Sequence, residues 1–125
     1  MSDRETGMRT RREVLGDDYV DRATSAASPF AQPFQEFITS YAWGEVWSRP
    51  GLDRRTRSVI TLTALVCLRA ESELGLHVRA ALRNGLTADE IAELLLHSAI
   101  YAGVPAANAA FAVAQEVLRE DGLIE

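Results

Sequence analysis

The chain has 125 residues, 47% hydrophobic and 25% charged, with a formal net charge of −5. That length suffices for one domain with a real core, and the acidic surplus argues against bulk nucleic-acid binding, which needs a basic footprint. All 13 basic residues are Arg and there is one cysteine, Cys67; this excludes lysine Schiff bases, covalent pyridoxal phosphate, internal disulfides, CxxC redox chemistry and cysteine-rich zinc sites.

The N-terminal stretch MSDRETGMRTRREV has no hydrophobic segment that would read as a signal peptide. No apolar run reaches the roughly 18 residues a membrane span needs. A cytoplasmic protein with no membrane partner is expected. Residues 5–14 form a short charged helix ending at Gly16, and Asp17 or Asp18 caps a second over YVDRATSA. Ser28-Pro29 and Pro33 mark the next boundary.

From Phe34 to Trp47 the apolar residues Phe34, Phe37, Ile38, Tyr41, Ala42, Trp43, Val46 and Trp47 recur at helical offsets. Their face is wide and aromatic, so this helix is expected to be covered on more than one side. Arg49-Pro50-Gly51 breaks it. Asp53 then caps a helix running to about Arg69, apolar nearly all round, which reads as the central buried element with Cys67 as a small hydrophobe. The next helix, about Ser72 to Asn84, carries the stripe Leu74, Val78, Ala81, Leu82 and stops at Gly85.

Thr87-Ala-Asp-Glu90 matches a capping box, opening a helix with Ile91, Leu94, Leu95, Ser98 and Ala99 on one face and Gly103 at its end. Pro105 opens a last, alanine-rich helix whose small residues predict close packing on the one before it. Strand alternation and hairpin turns are missing. The expectation is an all-α fold in one domain, 1–125, with no internal repeat or linker.

Three stretches can carry chemistry. In ESELGLHV, residues 71–78, His77 lies about 60° from Leu74 on the helical wheel and Glu73 sits one turn back. A carboxylate there raises an imidazole's pKa and orients it, making a general acid; from periodicity alone the favoured reading is a routine surface pair. In DRRTR, 53–57, Arg54, Arg55 and Arg57 oppose the macrodipole of a helix start at a few tenths of a kcal/mol each. Either an anionic ligand or a salt-bridge network offsets them. In WGEVW, Trp43 and Trp47 face together one turn apart, as core, subunit interface or pocket wall. His97, near Leu94 and Tyr101 on one face, reads as structural, Glu45 has no assigned role, and two distant histidines point to no metal site.

Several long segments in order, GMRTRREVLGDDYVDRA (7–23), FQEFITSYAWGEVWSRPGLDRRTRSVITL (34–62), LHVRAALRNG (76–85) and AIYAGVPAANAAF (99–111), give the chain a close resemblance to the carboxymuconolactone decarboxylase family of the alkylhydroperoxidase-like superfamily. The resemblance covers nearly the whole chain and implies an orthogonal bundle of about six helices with no fused lactone hydrolase. The superfamily's peroxidases use CxxC followed by His, with a glutamate upstream. On this chain the His matches His77, the thiols fall on Ala70 and Glu73, and the glutamate falls on Ser58. A thiol relay therefore has neither attacking nor resolving sulfur.

The resemblance implies cofactor-free decarboxylation of 4-carboxymuconolactone to 3-oxoadipate enol-lactone and CO₂, in the protocatechuate branch of the β-ketoadipate pathway. His77 and Glu73 would be catalytic. Arg54, Arg55 or Arg57 would grip the acetate arm, Tyr41 or Tyr101 would donate to the lactone oxygen, and Trp43 or Trp47 would wall the reacting carboxylate. The partners implied are a small anionic lactone and further copies of the chain, as trimer or hexamer. A relative acting on another small lactone or acid, and a helical oligomer without activity, are the alternatives.

Overall fold

The computed structural model describes residues 3–125, and every regular element among them is helical. The elements are α1 (Asp3–Leu15), α2 (Asp17–Ala26), α3 (Gln32–Ile38), α4 (Arg54–Cys67), α5 (Glu71–Arg83), α6 (Ala88–Ala102) and α7 (Val104–Glu120). Helix α3 runs directly into a π-helical segment, Thr39–Trp47. The chain divides into two compact units, Met1–Arg54 and Arg55–Glu125, each described by itself.

In the first unit α1 packs against the π-helical segment. The approach is close enough that a Cβ on Gly7 would overlap the carbonyl oxygen of Thr39, and one on Gly44 would overlap that of Asp3. Only glycine fits at both positions. Around the crossing Val14, Leu15, Val20 and Trp43 are buried. The apolar periodicity of 34–47 was compatible with a single α-helix, but its second half is wound i→i+5, a form that apolar spacing over nine residues does not separate from α. Nor is this stretch covered on several sides within the unit. Phe34, Phe37, Tyr41 and Val46 are exposed, and Thr39, Trp43 and Gly44 form the buried face.

The second unit has one hydrophobic core. Leu62 and Val66 of α4, Leu74, Val78 and Ala81 of α5, and Ile91 and Leu95 of α6 close on the alanine face of α7, with Val117 and Leu118 at its end. Helix α7 packs on both α5 and α6, so the small side chains serve two neighbours where the sequence predicted one. Side chains such as Leu62 and Ile91, removed from water completely, each contribute roughly 1.5–3 kcal/mol of transfer free energy.

Helix α4 is not buried all round. Ser58, Leu62 and Val66 form its buried line, while Ile60 and Cys67 are exposed, as is Leu68 just beyond its end. Near-uniform apolarity pointed to full burial, but a single chain supplies neighbours for one face only. The helix also stops two residues short of Arg69, which takes a left-handed φ of 58°. There Ala70 N–H donates to Leu65 O (3.0 Å) and Arg69 N–H to Val66 O (3.2 Å), closing the helix end.

The punctuation of α5 and α6 follows the sequence. Gly85 (φ 99°) and Gly103 (φ 95°) take the backbone values that side chains resist. Thr87 and Glu90 form the capping box: Glu90 N–H donates to Thr87 Oγ1 at 3.1 Å, and Thr87 N–H to Glu90 Oε1 at 2.9 Å.

Candidate functional site

His77 stands on α5 at the edge of the stripe Leu74–Val78–Ala81, as the helical wheel places it. The core encloses most of the imidazole, and burial pushes its pKa down from 6.5 to about 4. This corrects the sequence expectation, in which Glu73 raised it. Glu73 is exposed one turn away, and the dominant influence on His77 is loss of water, which disfavours the imidazolium. At neutral pH the ring is an uncharged donor and acceptor.

The arginine run at the start of α4 finds its offsetting carboxylates inside the protein. In the first unit Arg54 pairs with Glu13 of α1 at 3.2 Å. In the second unit Arg55 reaches Glu90 through both guanidinium nitrogens, one at 3.0 Å, and donates a further bond to Gly85 O at 2.7 Å. The Arg55 guanidinium and the backbone N–H of Thr87 hold the Glu90 carboxyl down near 2. For Arg54 and Arg55 the structure therefore realises the salt-bridge alternative. The capping box was legible in sequence; its capture of an arginine 35 residues upstream was not. Arg57 is partly exposed and lies beside Ser58, which is buried and accepts from Asn84 Nδ2 at 2.9 Å.

Trp43 and Trp47 face together, their ring centroids 5.0 Å apart, with Trp43 buried and Trp47 partly exposed. Tyr41 is exposed and stacks on Phe37 at 5.4 Å. Tyr101 is 75% exposed, near the end of α6, 5.5 Å from the His97 ring. His97 is exposed and lines a cleft of about 490 Å³ in the second unit with Arg55, Glu90 and Glu93. Three carboxylates, of Asp89, Glu90 and Glu93, face one arginine there, a poor match to an anionic substrate. Among the described residues no group of three His, Cys, Asp or Glu could hold a metal ion, and no helix is long and apolar enough to cross a membrane.

Sequence reasoning missed one residue. Arg11, on α1, is 3% exposed, and the side chains it meets are neutral: its Nη1 donates to Thr39 Oγ1 (3.2 Å) and its Nη2 to Gln35 Oε1 (3.0 Å). Only a tertiary contact distinguishes it from the other arginines of a charged helix, so periodicity carried no signal.

Comparison with known proteins places these residues in context. The profile of the carboxymuconolactone decarboxylase family matches residues 32–116. The chain is 50% identical, over 94% of its length and 87% of the relative's, to a 4-carboxymuconolactone decarboxylase of Acinetobacter baylyi. It is 47% identical, over 91% of its length and 80% of the relative's, to the nitrosuccinic acid decarboxylase npaB of Metarhizium robertsii. A 4-carboxymuconolactone decarboxylase of Pseudomonas putida is 46% identical over 41 residues, 33% of this chain and 85% of the relative. With a match over more than half its residues and near-complete relatives at half identity, this chain belongs to the carboxymuconolactone decarboxylase family.

Proposed function

We propose that the chain is a carboxy-lyase that converts 4-carboxymuconolactone to 3-oxoadipate enol-lactone and CO₂ without a cofactor, in the protocatechuate branch of the β-ketoadipate pathway. The observation that carries the reading is 50% identity over 94% of the chain to an enzyme of that name. The chemistry suits a protein without lysine. The departing carboxylate sits on the ring carbon that bears the lactone oxygen, and a ring double bond links that carbon to the lactone carbonyl. When the C–CO₂ bond breaks, its electron pair flows through the double bond to the carbonyl oxygen. The dienolate then takes one proton at the carbon beside the carbonyl. Two negative charges enter, one leaves on the enol-lactone, and one proton is consumed.

His77 is the proposed proton carrier. In the free protein it is neutral at pH 7, its pKa held near 4. Binding a dianion beside it favours the charged form and draws a proton onto the ring. The ring then donates to the developing oxyanion and returns the proton to carbon. Glu73 is proposed to orient the ring once substrate is bound. Arg54 and Arg55 each hold a carboxylate of this chain; Arg57 is proposed to take the acetate arm, gripping it with two parallel bonds. Tyr101 remains proposed as a donor, as does Tyr41, with Trp43 and Trp47 as substrate-contacting apolar groups. A homo-oligomer, trimer or hexamer, is supported by the exposed Phe34, Phe37, Ile60, Leu68, Ile100 and Val104, which are costly to leave in water; light scattering on the purified protein measures its size.

A second reading has its own support in the 47% identity to npaB. In nitrosuccinic acid the reacting carboxylate sits on the carbon bearing the nitro group, which accepts the electron pair, and a second carboxylate lies one carbon away. Both acids thus combine a built-in electron sink with a second anionic handle. The test is direct: purified protein is given each acid, and CO₂ release is followed with and without chelator. Turnover of the lactone at a kcat/KM well above that for nitrosuccinate supports the first reading, and the reverse order supports the second. Activity that disappears with the chelator and returns with added metal refutes the cofactor-free mechanism.

A further inference from the structure

Arg11 poses an electrostatic problem that the first unit does not solve. Its guanidinium is desolvated, and burial lowers its proton affinity, yet it stays protonated at physiological pH. Among the described residues the groups that accept from it are a hydroxyl and an amide oxygen, and Nε is buried without an acceptor. Tyr19 favours its charge electrostatically, while Arg12, of the same sign, opposes it and is itself taken by Asp17 and Asp21. A buried cation without a counter-charge is costly and is rarely left so.

The two side chains that accept from Arg11 also line a cavity of about 250 Å³, together with Arg4, Met8, Gln32 and Glu36. The bond from Arg11 fixes Gln35 with its oxygen inward, which leaves the Gln35 NH₂ group as a donor to the cavity. Thr39 spends its proton on Gln35 O at 2.7 Å, so its hydroxyl serves as a relay wall and not as a second donor. Arg4 is exposed at the rim. The charged side chains that line the cavity, Arg4 and Glu36, balance each other, and Arg11 lies behind its Gln35–Thr39 wall without lining it. The volume lies below the roughly 300 Å³ at which pockets for drug-sized ligands begin, and Met8 offers a short apolar surface.

We propose that this cavity in the first unit is a binding site for a small organic carboxylate, held by Gln35 and Arg4 with the buried Arg11 behind them as its counter-charge. The site is separate from the proposed reaction and does not depend on it. The anion is a bound ligand and undergoes no covalent change. Its effect is to stabilise the packing of α1 on the π-helical segment, and the Arg11–Gln35 bond to α3, by supplying negative charge, so occupancy couples the concentration of a small acid to the stability of this unit.

The experiment uses the full chain with succinate as probe against sodium chloride at matched ionic strength. Succinate is expected to raise the melting midpoint saturably, by at least about 2 °C, and to shift the Arg11 Nε–H resonance, identified by its loss in Arg11→Lys. Gln35→Glu places a carboxylate where the ligand's would lie. It is expected to raise the midpoint by about 4 °C, to abolish the response to succinate, and to leave lactone or nitrosuccinate turnover unchanged. Arg4→Gln is expected to weaken the succinate response at least threefold in midpoint concentration. A flat response to succinate overturns the proposal. So does a Gln35→Glu protein that is less stable than wild type. A change in oligomer size on Gln35→Glu, with no succinate effect on wild type, identifies the counter-charge as a carboxylate of another copy and also overturns it.

Discussion

The enclosed imidazole of His77 makes the stability of the protein depend on pH in a window that carboxylates barely touch. Its folded pKa of about 4 lies below the unfolded 6.5. Above pH 6.5 both states carry a neutral ring and the group costs nothing. As pH falls the unfolded chain takes up the proton first, so stability declines until the folded ring is protonated as well, near pH 4. The full shift corresponds to about 3 kcal/mol, of which about 2 kcal/mol is lost between pH 7.5 and pH 5. Urea unfolding at a series of pH values, for wild type and His77→Gln, measures it. The variant keeps a polar side chain of similar size and removes the titration, so the difference between the two curves isolates His77. Parallel curves over pH 7.5 to 5, or a His77 resonance titrating near 6.5, would refute the reasoning. The same neutral ring predicts that kcat/KM, which reports on the free enzyme, shows no His77 inflection between pH 6 and 8.

Other residues give equally direct outcomes. Gly44→Ala puts a methyl group into the backbone of α1 and is expected to destabilise the first unit by at least about 2 kcal/mol, read by urea midpoint. His77→Ala is expected to lower kcat by about 10²-fold or more on the preferred substrate, measured as CO₂ release. Arg55→Gln is expected to lower the melting midpoint with KM unchanged, because Arg55 holds Glu90 and Gly85, whereas Arg57→Gln is expected to raise KM; the opposite pattern would exchange their roles. Thr87→Ala removes one half of the capping box and is expected to cost about 1 kcal/mol with no change in kcat.

The helices were legible because their ends are written in local chemistry. Thr87 with Glu90, the stops at Gly85 and Gly103, and the stripe Leu74–Val78–Ala81 each depend on residues within a turn or two. What stayed hidden depended on contacts distant in sequence. The glycines at 7 and 44 carried no signal of their own until two backbones meet over them. Arg11 looked like the arginines beside it until Gln35 and Thr39 closed around it. At the candidate site the sequence named His77 but assigned its charge wrongly, because spacing reveals a neighbouring carboxylate and says nothing about loss of water. The run 54–57 posed a question of charge balance, and its two resolved answers, Glu13 and Glu90, lie 41 and 35 residues away.

Glu90 accepts at once from the Thr87 backbone and from Arg55, which in turn holds the Gly85 carbonyl. One carboxylate therefore fastens the first turn of α4, the bend after α5 and the opening of α6. A lineage that loses it gives up the Arg55 and Thr87 attachments together and leaves Arg55 its bond to the Gly85 carbonyl. Positions 55 and 90 should accordingly drift as a pair among relatives, exchanged jointly or retained jointly, while the solvent-facing residues around them diverge at their own pace.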